Sequence, residues 1–461
     1  MAATSQNPTQ TFQSNVRRLL HSHSMSQREA ANEFDISYKS MRRFCHYGLQ
    51  RPDKRTRAGL ERFAGHFGLT LADLWKPKVH PQASPPNAEN ILNNQRRYCG
   101  ERFIDIPKPH WRLLVDEAAQ CDERKQQIAE RLADALGRYD APCPQASEER
   151  RRNDFELFLS LPDERDAVDF TFGDIEIALA SKWSRLGLRF LNSFGFLESR
   201  ILGGHRSSPC LAEAWKDSAR RTSIMRAALS LKKHLNEATA FESAAMKIHV
   251  PANFRPTAAR AIYNDLGNGG TVLDFSAGYG GRFLGFLGSN CRHYIGIDPN
   301  TALRPSFESM FSWVETNHEH YKSWEMVWQP AEDVDYSAWH EQVDLIFTSP
   351  PYFYLERYSD EATQSSRRYS SLEDWLNGFL FEALRRSVRC LKPGGHLALN
   401  VADNPTYGVE IIEPVIEFIR TELGFQRQQV VPMLLSSKPG KDRERVGWGR
   451  KAEPILVFRQ P

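Results

Sequence analysis

Two loops in the C-terminal half carry the residue types that chemistry needs. The first, Asp274-Phe-Ser276-Ala-Gly278-Tyr-Gly280-Gly281-Arg282, follows the apolar run Thr271-Val-Leu. Glycines at a strand-to-helix turn let the backbone fold tightly and approach a ligand closely. The pattern is G-x-G-G and not G-x-G-x-x-G, which argues against a nicotinamide dinucleotide. Asp298 lies 24 residues beyond Asp274, at the end of His293-Tyr-Ile-Gly-Ile. A carboxylate there can accept hydrogen bonds from both hydroxyls of a ribose. The second loop, Thr348-Ser349-Pro350-Pro351-Tyr352, follows Val343–Phe347. Its two prolines fix φ and stiffen the turn. Ser349 Oγ and the Pro350 carbonyl are acceptors that can hold an NH2 group, and Tyr352 offers a ring face for stacking. No thiol follows the prolines, so a covalent cysteine mechanism is disfavoured.

Thr348–Tyr352 resembles the S/D/N-P-P-Y/F motif of the amino-group methyltransferases, which act on cytosine N4, adenine N6 or guanine N2. The Ser-Pro-Pro-Tyr form resembles the cytosine-N4 branch more than the adenine-N6 branch. The resemblance implies S-adenosyl-L-methionine as cofactor, no metal, and Ser349, Pro350, Pro351 and Tyr352 as the catalytic loop. An exocyclic amine is a poor nucleophile because its lone pair is delocalised into the ring. Acceptors at Ser349 and Pro350 would favour its pyramidal form, in line with the methyl group. A base inside a duplex cannot reach such a loop, so a flipped target base is expected, with Phe353 and Tyr354 adding apolar surface for it. For the cofactor the resemblance implies Ser276, Gly278, Gly280 and Asp298, with Asp274 facing the ammonium and sulfonium charges. Phe254, in Asn253-Phe-Arg-Pro256, resembles the F-x-P element of the methionine pocket. Glu332 and Asp333 follow the apolar run Trp324–Trp328. They could contact the adenine amino group, or Asp333 could cap a helix.

These loops need an open α/β sheet to carry them. Residues 251–461 alternate strand and helix patterns, with a helical stretch at 372–390 and a terminal strand at Pro454-Ile-Leu-Val-Phe. The expected fold is therefore α/β, and the resemblance implies that it is a Rossmann-like class I methyltransferase sheet at the C-terminus. An all-α helix-turn-helix domain and a mostly helical middle region precede it. Ser436–Arg450 is a basic, glycine-rich loop whose Lys438, Lys441, Arg443, Arg445 and Arg450 could meet phosphates or only solvent. Few residues separate Tyr358 from the next helix, too few for a separate target-recognition domain. Specificity must come from the N-terminal half or be low.

Net charge is only +3, but residues 1–80 hold thirteen basic and six acidic side chains. Such a basic module suits a polyanion. Residues 12–77 resemble the helix-turn-helix domain of the lambda-repressor and Cro type. Ser26 and Glu29 form a capping box, Asp35 stands where the turn usually has glycine, and Ser37 caps the recognition helix Tyr38–Cys45. The resemblance implies that Gln27, Tyr38, Lys39, Arg42 and Arg43 meet double-stranded DNA while Met41 packs inward, and it allows a homodimer through this domain. Residues 78–96 read as a linker. Residues 97–250 form a helical middle region that could cover or recognise DNA. In it Lys182, Trp183, Arg185 and Arg189 could touch nucleic acid or merely pack with solvated charges.

A length of 461 residues suggests two or three domains. No apolar run is long enough for a membrane span, and the N-terminus lacks signal-peptide features. The seven cysteines have no zinc spacing and read as reduced thiols of a cytoplasmic, nucleoid-associated protein. The leading expectation is a site-directed DNA methyltransferase. An RNA base methyltransferase, or a DNA-binding regulator that uses the fold as a cofactor sensor, are the alternatives. A role in restriction-modification, gene regulation or phage DNA modification is left open.

Overall fold

The computed structural model describes residues 8–22, 25–47, 54–66, 69, 71, 74, 87–161, 170–172, 175–177, 185–231, 234–319, 321–353, 356–404, 408–434 and 452–461. They divide into two compact units, Met1–Pro142 with Trp215–Lys247, and Cys143–Ala214 with Ile248–Pro461. The expected middle region 97–250 is thus split between the units. The basic loop 436–450, Lys182, Trp183 and Tyr354 lie outside the described residues.

In the first unit, α1 (Pro8–Ser22), α2 (Gln27–Glu33), α3 (Tyr38–Tyr47) and α4 (Lys54–His66) share one small core. Phe12, Val16, Leu19 and Leu20 recur at helical spacing and are buried. The α2 cap is reciprocal. The Glu29 amide donates to Ser26 Oγ at 3.1 Å, and the Ser26 amide donates to Glu29 Oε2 at 2.7 Å. Ser26→Ala should therefore cost about 1 kcal/mol, read as a lower urea midpoint for this unit. An unchanged midpoint would show that the cap contributes nothing there. Asp35 takes φ +51° between α2 and α3, a left-handed conformation that aspartate tolerates better than most residues.

The stretch expected as a linker is folded from residue 87 on. Asn87 accepts the Asn90 amide at 2.8 Å and starts α5 (Ala88–Asn93), whose Ala88, Ile91 and Leu92 are buried. Polar composition had hidden this i, i+3, i+4 stripe. Further on, α6 (Asp122–Leu136) packs against α7 (Ser218–Ser230). The buried Arg221 of α7 donates to the Ala133 carbonyl at 3.1 Å.

Among the described residues, the main sheet of the second unit has seven strands: β1 Thr271–Asp274, β2 His293–Ile297, β3 Ser323–Val327, β4 Val343–Thr348, β5 Leu391–Asn400, β6 Gln426–Leu434 and β7 Ala452–Arg459. Their order across the sheet is β3-β2-β1-β4-β5-β7-β6. β1 to β5 run parallel, and β7 inserts antiparallel between β5 and β6. The sheet is Rossmann-like. β4 is buried on both faces, with Leu345 and Phe347 in one core and Ile346 in the other, as a central parallel strand requires. Each such side chain contributes roughly 1.5–3 kcal/mol of burial.

The helices α8 (Pro256–Leu266), α9 (Gly281–Leu287) and α10 (Arg304–Asn317) supply the layer against Leu345 and Phe347. The helical stretch 372–390, with a π-helical turn at Leu376–Phe381, covers the other face with Trp375, Phe379, Leu380 and Leu384. β6 was not legible. Gln426-Arg-Gln-Gln is polar and Pro432 lies within it, but β6 is the sheet's edge strand, the place where proline is tolerated.

Candidate active site

Strand order places the two loops together. β1 leads to β2 and β3 on one side, while β4 leads to β5 on the other, so the order reverses between β1 and β4. In open α/β sheets the crevice outside the carboxyl ends of the strands at such a point is where ligands bind. The glycine loop leaves β1 there and the Ser-Pro-Pro-Tyr loop leaves β4 there. A side-chain hydrogen bond ties the two strand ends, from Thr348 Oγ1 to Asp274 Oδ1 at 2.9 Å.

Asp274 is fully buried and its carboxylate is already engaged. Arg282 Nε donates to Oδ2 at 2.8 Å, as does the Tyr294 hydroxyl. The Ser276 amide donates to Oδ1 at 3.3 Å, and Arg282 also reaches the Ser276 carbonyl. Beside its expected place facing the charges of a cofactor, Asp274 has a structural role. It is a node that holds the glycine loop to β2 and β4.

The loop itself is shaped for close approach. Gly280 has φ +77° and opens α9. A Cβ on Gly281 would stand 2.1 Å from the Phe254 carbonyl oxygen, so that position admits only glycine. Asn253 Nδ2 holds the Tyr279 carbonyl at 2.8 Å. Phe254 lies beside this loop, edge-on to Phe347 at 5.5 Å, with the Arg282 guanidinium 5.3 Å from its ring centre.

Asp298, at the end of β2, is 8 % exposed. Its Oδ2 accepts the Gly278 amide at 2.7 Å and its Oδ1 the Asn300 amide at 2.9 Å. Each oxygen keeps a lone pair for a further donor, and the site fits a pair of ribose hydroxyls. Burial pushes this carboxyl up to about 6, against the pull of the two backbone donors. Asp298 must be ionised to accept from two hydroxyls. Affinity for S-adenosylhomocysteine should thus be level above about pH 6 and fall as pH drops through 6, while Asp298→Asn should be weak and flat. Titration calorimetry across pH 5–8 checks this, and a wild-type curve flat to pH 5 would contradict it.

Glu332 and Asp333 end the short turn Ala331–Asp333 after β3. Arg368 Nη1 reaches Glu332 at 2.6 Å and Asp333 at 2.7 Å, and the Tyr369 hydroxyl donates to Glu332 at 3.1 Å. Burial raises the Glu332 carboxyl. Asp333 caps no helix; the turn has no side-chain cap. Both carboxylates are paired with Arg368, a residue the motif reading did not select.

In the second loop, Ser349 Oγ donates to Asn400 Oδ1 at 3.2 Å. The Tyr352 hydroxyl lies 3.4 Å from the same oxygen and 3.3 Å from Glu453 Oε2. Asn400 ends β5 and Glu453 is the second residue of β7, which brings its first residues to the carboxyl edge because it runs antiparallel. Burial raises Glu453 and holds the Tyr352 hydroxyl well above the usual tyrosine range. Neither Asn400 nor Glu453 was foreseen. The one available sign was a polar residue ending the buried run His396-Leu-Ala-Leu. Phe353 is corrected as well. It is 3 % exposed and packs on Trp375 at 5.7 Å, so it is core and offers no surface to a base.

Four residues past Tyr352, the buried Glu356 accepts from the Tyr358 hydroxyl and meets His249 at 3.2 Å. Glu356–Arg357 also pairs antiparallel with Gly204–His205. The segment after the Ser-Pro-Pro-Tyr loop is thereby stitched to the part of this unit that lies before α8.

On the first unit, Tyr38, Lys39 and Arg42 of α3 are exposed, Gln27 is half-buried, and Met41 is buried. The Arg28 guanidinium lies 5.3 Å from the Tyr38 ring centre. Arg43 lies on α3, with its side chain outside what the structure describes.

Residues 343–461, from the first residue of β4 to the last residue given, match the model of the DNA methylase family of N6 and N4 methyltransferases. The match covers about a quarter of the chain and includes the Ser-Pro-Pro-Tyr loop. No curated protein sequence matches the chain. Among solved structures, an S-adenosylmethionine-dependent O-methyltransferase of Thermotoga maritima is 13 % identical over 47 % of this chain and 70 % of its own, with a TM-score of 0.29. The 1,6-didemethyltoxoflavin-N1-methyltransferase of Burkholderia thailandensis is 17 % identical over 44 % of this chain and 77 % of its own, at 0.29. An rRNA methylase of Streptococcus thermophilus is 13 % identical over 46 % of this chain and all of its own, at 0.28. Among the described residues no helix is long and apolar enough to cross a membrane, and no cluster of His, Cys, Asp and Glu could hold a metal ion.

Proposed function

We propose that this protein transfers a methyl group from S-adenosylmethionine to an exocyclic amino group of a DNA base, cytosine N4 in preference to adenine N6. The observation that carries this reading is the meeting of two loops at one reversal of strand order. The glycine loop can hold the cofactor and the stiff Ser-Pro-Pro-Tyr loop can hold an amine, and Thr348 and Asp274 join them. The DNA methylase match over 343–461 supports the same class of substrate.

S-adenosylmethionine is the cofactor; bound, it supplies an electrophilic methyl group on sulfur. Asp298 takes the ribose hydroxyls, the Gly278–Gly281 backbone lets the ligand lie close, and Phe254 lines the methionine side. Ser349 Oγ and the Pro350 carbonyl accept the two N–H bonds of the target amine and turn its lone pair toward the methyl carbon. With the amine held by these two acceptors, a C–N bond would form as the bound cofactor's C–S bond broke, with that electron pair left on sulfur and one amine proton passing to solvent. Tyr352 packs on the base that has left the duplex.

The helices at 8–66 act as a helix-turn-helix domain in this reading. Tyr38, Lys39 and Arg42 face duplex DNA, with Gln27 and Arg43 beside them. Incorporation of labelled methyl into duplex DNA, single-stranded DNA and RNA tests the whole. Duplex DNA should be the best substrate, and removal of residues 1–77 should weaken its KM. Transfer to RNA alone would overturn the DNA assignment, because A-form RNA offers no readable major groove to such a domain.

A further inference from the structure

Ser349 is a hydroxyl and can donate as well as accept. If its proton pointed at the target nitrogen, it would occupy the lone pair that has to attack. That proton must be held elsewhere. Asn400 stands at the end of β5 and is 1 % exposed. Its Nδ2 donates to the Pro454 carbonyl at 3.1 Å. A carbonyl only accepts, so this contact fixes which way the amide faces and turns Oδ1 toward the catalytic loop. Oδ1 is acceptor-only and takes the Ser349 hydroxyl at 3.2 Å. Tyr352 approaches the same oxygen at 3.4 Å, with Glu453 at 3.3 Å as its other acceptor. A single buried amide oxygen therefore lies within reach of the hydroxyls at both ends of the Ser-Pro-Pro-Tyr turn.

We propose that Asn400 is a positioning residue that holds the Ser349 proton and so presents the Ser349 lone pairs to the target amino group. The serine then does the work that an asparagine or aspartate at the same place would do with its own carbonyl oxygen. This inference rests on the reading of Ser349 as the amine acceptor.

A double-mutant cycle separates positioning from mere structure. Single-turnover methyl transfer to duplex DNA is measured for the wild type, Asn400→Leu, Ser349→Asn and the pair, with S-adenosylhomocysteine affinity for each. Asn400→Leu should slow transfer on the order of 10²-fold and leave cofactor affinity unchanged. Ser349→Asn, which brings its own acceptor, should be no slower with Asn400→Leu than without it. Asn400→Asp, which still accepts from Ser349, should be faster than Asn400→Leu. If Asn400→Leu does not fold, Asn400→Ala takes its place in the same cycle. An equal slowing in both backgrounds, or no slowing in either, would overturn the role given to Asn400 while the reading of Ser349 stands. A wild type that methylates no nucleic acid would remove both.

Discussion

Ser349→Ala should lower methyl transfer by about 10²–10⁴-fold and leave the affinity for S-adenosylhomocysteine within about twofold. The split follows from where Ser349 sits. Its hydroxyl contacts Asn400 at the end of β5, on the β4 side of the sheet reversal. Gly278 and Asp298, proposed to hold the cofactor, bond to each other on the β1 and β2 side. Alanine at 349 thus removes an acceptor for the amine without touching the cofactor's neighbours. Transfer measured at saturating DNA, beside calorimetric binding, reads the two effects separately. Turnover equal to wild type would mean that this loop does not hold the amine.

Asp274→Ala should cost about 3–5 kcal/mol of stability, because it leaves the Arg282 guanidinium charged and buried without its partner. Arg282 is 4 % exposed and Asp274 is fully buried. The same carboxylate also accepts from Tyr294 and Thr348, whose hydroxyls would lose their acceptor. The variant should unfold at clearly lower urea than wild type, whereas Asp274→Asn, which keeps one of the two acceptor oxygens, should lose less. A loss below about 1 kcal/mol for Asp274→Ala would show that the node is not what joins β1, β2 and β4.

This node shows where a linear reading stops. The motif places an acidic residue at the end of β1 beside a charged cofactor, and position alone cannot say which way its carboxylate turns. Arg282, Tyr294 and Thr348 come from three separate elements, and only the sheet order brings them to one carboxylate. Asn400 and Glu453 were hidden for the same reason. Asn400 ends the parallel strand beside β4, Glu453 lies near the start of an antiparallel strand, and Glu453 reaches Tyr352 only once β7 is inserted next to β5. Elements with strong local signals were legible. β1, β2, β4 and the helical stretch 372–390 announce themselves through apolar runs and helical spacing. So does the Ser26–Glu29 cap, where both partners lie within one turn. Phe353 misled because an aromatic beside a reactive loop reads as substrate surface, while its packing on Trp375 is a long-range fact. The pairing of Glu332 and Asp333 with Arg368 was hidden too, since Arg368 lies 35 residues beyond Asp333.

The chemistry of the methylated nucleoside tests the central claim most directly. The protein is incubated with methyl-labelled S-adenosylmethionine and duplex DNA of varied sequence, the DNA is digested to nucleosides, and the labelled product is identified by mass spectrometry. Methyl on an exocyclic nitrogen is the predicted result, with N4-methylcytosine expected ahead of N6-methyladenine. Methyl on cytosine C5, or DNA that carries no label at all, would contradict the claim that this loop methylates a base amine in DNA.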